Sequence, residues 1–125
     1  MKSIRIAVAV LATVLSLAGP ALAAEAPLKM SGGALVTPSG MTVYTFDKDT
    51  ANSGKSACSG ACLKAWPAVP AGDAPVAPPY SVITREDGSK QLAYKGKPLY
   101  TYAEDKKPGE RKGDNYKDVW HVVSE

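Results

Sequence analysis

The chain states one short passage twice. Residues 40–49 read Gly-Met-Thr-Val-Tyr-Thr-Phe-Asp-Lys-Asp, and residues 96–105 read Gly-Lys-Pro-Leu-Tyr-Thr-Tyr-Ala-Glu-Asp, at a constant offset of 56. Each copy then runs on to a tryptophan followed by small or apolar residues, at Trp66-Pro67-Ala68-Val69 and Trp120-His121-Val122-Val123. A short unit that cannot bury its own apolar face is stabilised by packing on a copy of itself, so the duplication predicts a fold of two like halves. The repeats span about 32–69 and 81–124. The stretch 70–80, with four prolines, is the connector.

The first residues predict export. Lys2 and Arg5 precede an apolar run over residues 6–17, and Ala21-Leu22-Ala23 fits a small-x-small cleavage pattern. Residues 1–23 therefore read as a signal peptide and 24–125 as a single exported domain, periplasmic or secreted. No transmembrane segment is expected after cleavage, because the run is too short for a span. No lipobox cysteine stands at the cleavage site. Without Lys2 and Arg5 the balance is thirteen basic against twelve acidic residues, or +1. That charge gives no case for nucleic acid as a partner.

Turn signals at short intervals predict a mainly β chain. Residues 34–36, 41–46, 81–85, 90–94, 98–102 and 118–124 read as strands, with Asp87-Gly88 as a hairpin turn. Ser56 is a candidate cap for a helical turn ending before Pro67. Residues 24–29 read as a polar lead. The expected architecture is a small sandwich or barrel-like domain with a short helical turn at the cysteine pair.

Tyr44-x-Phe46-x-x-Asp49 and Tyr100-x-Tyr102-x-x-Asp105 resemble the signature of the bacterial "secreted repeat of unknown function" family, whose members are described as predicted lipoproteins. Cys58-x-x-x-Cys62, Trp66-Pro67, the Asp87-Gly88 turn and Gly96-x-Pro98-Leu99-Tyr100 are also similar to that family. The resemblance covers residues 32–123 and implies an exported repeat. It implies no biochemical activity, and the missing lipobox cysteine keeps lipidation from being transferred.

Tyr44, Phe46, Tyr100, Tyr102, Trp66 and Trp120 make six of the nine aromatic residues. They read first as core, since each aromatic buries about 150–250 Å². The alternative is a stacking surface for a sugar, a quinone or another planar ligand. Asp49 and Asp105 are candidate turn caps or partners for buried phenols. Cys58 and Cys62 have three readings: a disulfide, a redox dithiol, or a copper site completed by His121, the one histidine. No serine sits in a nucleophile elbow and no phosphate loop appears, so no catalytic residue is assigned.

These features point to a non-catalytic exported module that binds a small ligand or an envelope protein. The loops 47–55 and 105–115 offer its variable surface. The alternative is a periplasmic copper-handling or thiol-redox protein using Cys58, Cys62 and His121.

Overall fold

The computed structural model describes residues 27–72 and 75–124; the expected signal peptide lies outside the described residues. Seven short strands and one helical turn occur among them. In chain order they are β1 (Lys29–Ser31), β2 (Ala34–Val36), β3 (Tyr44–Phe46), α1 (Ala61–Ala65), β4 (Tyr80–Thr84), β5 (Lys90–Tyr94), β6 (Lys97–Pro98) and β7 (Trp120–Val122). They form three small antiparallel sheets, β1-β2, β3-β7 and β4-β5-β6. None closes into a barrel.

The halves are alike and they are crossed. Motif strand β3 of the first repeat pairs with β7 of the second, with Tyr44 opposite Val122 and Phe46 opposite Trp120. In the mirror arrangement, Tyr100 of the second repeat bridges Ala68 of the first. Matching backbone bonds follow. Asp47 N donates to Val119 O at 2.7 Å, and Ala103 N donates to Ala65 O at 2.8 Å. Leu35 N donates to Val123 O, and Leu92 N donates to Val69 O, both at 2.8 Å. At the centre Tyr44 and Tyr100 exchange both backbone bonds, at 2.7 and 2.9 Å, as an antiparallel hydrogen-bonded pair does. An approximate two-fold axis therefore runs between these two residues.

Strand alternation then divides the interior in two. Successive side chains point to opposite faces. Val43 and Leu99 enter an aliphatic cluster with Leu28, Leu35, Val69, Leu92 and Val123. Their neighbours Tyr44 and Tyr100 enter an aromatic cluster with Cys58, Trp66 and Trp120. The repeated glycine before each motif has a steric reason. Gly40 and Gly96 have φ of 93° and 84°, and a Cβ there would meet Pro108 Cβ at 2.9 Å or Asn52 Oδ1 at 2.1 Å. Each loop thus docks on the other repeat's glycine, and Asn52 N donates to Gly96 O at 2.9 Å.

Several elements differ from the sequence reading. Beyond the expected lead, residues 29–31 form β1, paired with β2 through a Gly32-Gly33 turn. The long motif strands shorten, because Thr42 and Tyr100 make only isolated bridges. α1 has Gly60 at its N-cap position and no side-chain cap. Ser56 instead turns its hydroxyl to Tyr100.

Candidate functional site

The motif tyrosines and aspartates come together, but across the repeats. Tyr44 Oη donates to Asp105 Oδ2 at 2.6 Å, and Tyr100 Oη donates to Asp49 Oδ2 at 2.6 Å. Each carboxylate uses its second oxygen to accept a backbone N–H from its own loop. Ala57 N donates to Asp49 Oδ1, and Lys112 N donates to Asp105 Oδ1 at 2.9 Å. The four side chains are buried. Burial is affordable in free energy only for polar groups with partners, and these have them. Neither carboxylate has a cation in ion-pair reach among the described residues. Desolvation, then the bond to Asp105, pushes the Tyr44 phenol well above its ordinary range. The same two causes, with Asp49 as partner, push up Tyr100. Both phenols act as hydrogen-bond donors to a carboxylate of the other repeat.

The six motif aromatics form one assembly. Trp66 and Trp120 stack, with Tyr102 on the outer face of Trp66 at 4.0 Å and Phe46 on the outer face of Trp120 at 4.2 Å. Tyr44 stands edge-on to Trp66 and Tyr100 edge-on to Trp120, at 5.4 and 5.1 Å. Only the outer rings, Phe46 and Tyr102, are half-buried.

Cys58 and Cys62 are joined by a disulfide, with Cα atoms 5.3 Å apart. His121 is engaged elsewhere: its Nε2 lies 2.8 Å from Asp47 Oδ2 and its Nδ1 lies 3.1 Å from Asn115 Oδ1. Among the described residues no three His, Cys, Asp or Glu side chains gather in a metal-holding group.

The two-fold likeness is not complete: α1 and the disulfide occur in the first repeat, without a counterpart among the described residues of the second. In the second half, Arg111 of the late loop reaches the β1-β2 turn and donates to Gly32 O at 2.6 Å. An open cavity of about 610 Å³ lies between the first repeat's loop around Lys55 and Ser59 and the tip of the second repeat's β4-β5 hairpin, Thr84 to Asp87. Arg85 links the two walls. It donates from Nη2 to Cys58 O and from Nη1 to Gln91 Oε1, both at 2.6 Å. The disulfide braces the loop wall beside it. Arg85, Glu86 and Ser59 were not singled out by sequence reasoning. One signal was present: Trp66 follows Asp49 by 17 positions, whereas Trp120 follows Asp105 by 15, so the first loop is longer.

A family model described as a secreted repeat of unknown function matches the chain twice, over residues 29–70 and 81–124. No curated protein and no solved structure matches it.

Proposed function

This chain belongs to the family of secreted repeats of unknown function, and we propose that it is a non-catalytic exported binding module. Its site is the cavity between the cysteine loop and the β4-β5 hairpin. After removal of residues 1–23 the domain works in the periplasm or outside the cell, where a disulfide persists. The observation that carries the reading is the open cavity between the cysteine loop and the β4-β5 hairpin. The crossed centre is duplicated and internally satisfied, whereas the cavity is open and one of its walls is a loop braced by the disulfide. Its volume of about 610 Å³ suits a small ligand, for which sites of about 300–1,000 Å³ are usual. The non-catalytic part rests on the motif phenols and carboxylates, each consumed by an internal partner.

A small-molecule screen by thermal shift, followed by amide mapping of the hits in nuclear magnetic resonance, tests this. Hits that perturb residues 54–60 and 84–87 support it. Hits that map elsewhere, or a turnover abolished by changing one polar side chain, overturn it.

A further inference from the structure

The cavity has both signs of charge on its walls. Lys55 and Arg85 line it together with Glu86 and Asp87. Asp87 is committed, accepting from Ser89 N at 2.9 Å and Ser89 Oγ at 2.6 Å. Among the described residues, Lys55, Arg85 and Glu86 form no ion pair. Arg85 spends one N–H on Cys58 O and one on Gln91 Oε1. A guanidinium has five N–H donors in a fixed fork that matches a carboxylate, so three remain. A simple anion would meet Glu86, and a simple cation would meet Arg85 and Lys55. A ligand with both charges is complementary to the whole lining.

The rest of the lining narrows the class. Ser59 and Thr84 offer hydroxyls, and Leu63 is the one large apolar side chain. A Cβ built on Gly54 or Gly60 would meet nothing within 4 Å, so the loop backbone lies open there. Hydroxyls and bare backbone are partners for amide groups. We infer that the cavity takes a short peptide with free ends, its carboxylate on Arg85 and Lys55, its ammonium on Glu86, and an apolar side chain on Leu63. The inference rests on the cavity being the binding site.

The test is titration of the full mature domain with the tripeptide Gly-Leu-Gly and with its N-acetylated, C-amidated and doubly blocked forms, followed by calorimetry and amide mapping. The free tripeptide binds and perturbs residues 54–60 and 84–87, and blocking either end weakens it about tenfold, as loss of one charged contact does. In Glu86→Gln the N-acetyl group no longer matters while the C-amide still does. In Lys55→Ala the penalty for the C-amide shrinks. Both side chains are exposed, so these variants keep the fold. Equal binding of the free and doubly blocked peptides at the cavity overturns the peptide-end assignment and leaves the cavity standing as the site. The same holds if no peptide binds but another small molecule maps there. If nothing in either experiment perturbs the cavity, both readings fall.

Discussion

Trp66 and Trp120, one from each repeat, lie parallel with ring centroids 3.8 Å apart and 2° between their planes. The axis relating the halves passes through this contact as well as between Tyr44 and Tyr100. With Phe46 and Tyr102 outside them, the rings form a four-layer stack. Aromatic pairs contribute about 0.5–1.5 kcal/mol each beyond the area they bury. The stack is therefore a principal joint between the repeats.

That joint leaves no room at Gly113. A Cβ there would meet Trp66 ring atoms at 2.6 and 2.8 Å and Tyr102 at 3.1 Å. Overfilling a packed core costs about 1–3 kcal/mol. Gly113→Ala is expected to lose stability in that range in urea unfolding, with a reduced near-ultraviolet circular dichroism signal from the tryptophan pair.

Removing one phenol oxygen strands its partner. In Tyr44→Phe, Asp105 Oδ2 loses its phenol donor, while Oδ1 keeps Lys112 N, and Gly113 N loses the phenol oxygen that lies 3.1 Å from it. A buried polar group left unpaired costs about 1–3 kcal/mol, and more if charged. Urea unfolding of Tyr44→Phe and Tyr100→Phe should show at least that loss for each. Tyr44→Ala and Tyr100→Ala should lose about 3–5 kcal/mol, since the ring goes too.

Alkali should unfold the domain through the same groups. Both phenols are raised above the ordinary tyrosine value in the folded state. An unfolded tyrosine releases its proton near pH 10, about where the native phenols still hold theirs. Their stabilisation is complete below about pH 10 and declines as pH rises through the raised native values, by about 1.4 kcal/mol per pH unit for each phenol. Urea midpoints measured from pH 9 upward should fall accordingly. The Tyr44→Phe/Tyr100→Phe double variant should show a shallower fall.

The disulfide closes a very short loop, so it constrains the unfolded chain only modestly, by about 2 kcal/mol. Cys58→Ser is expected to lose that amount in the absence of reductant and to melt like the reduced native protein. Ligand binding at the cavity should weaken in parallel, because Cys58 O holds Arg85.

Much of this was legible in the chain. The repeat offset identified equivalent residues. The hairpin at Asp87-Gly88 followed from turn chemistry. Equivalence does not reveal pairing, however. Nothing in an offset of 56 distinguishes Tyr44 bonded to Asp49 from Tyr44 bonded to Asp105, because that choice is made by the crossing of the strands. β1 escaped notice because Lys29, Met30 and Ser31 are all exposed and show no apolar alternation. The cavity escaped because its walls are polar residues from two segments about 30 positions apart, and polar loops have no period to read.

The crossed contacts also bind the fates of the two copies. Deleting either copy, or replacing its Tyr or Asp, takes a hydrogen-bond partner from the other. A cut within the 70–80 tether should accordingly leave two fragments clasped together, as separate molecules built on one such unit would clasp as a symmetric dimer.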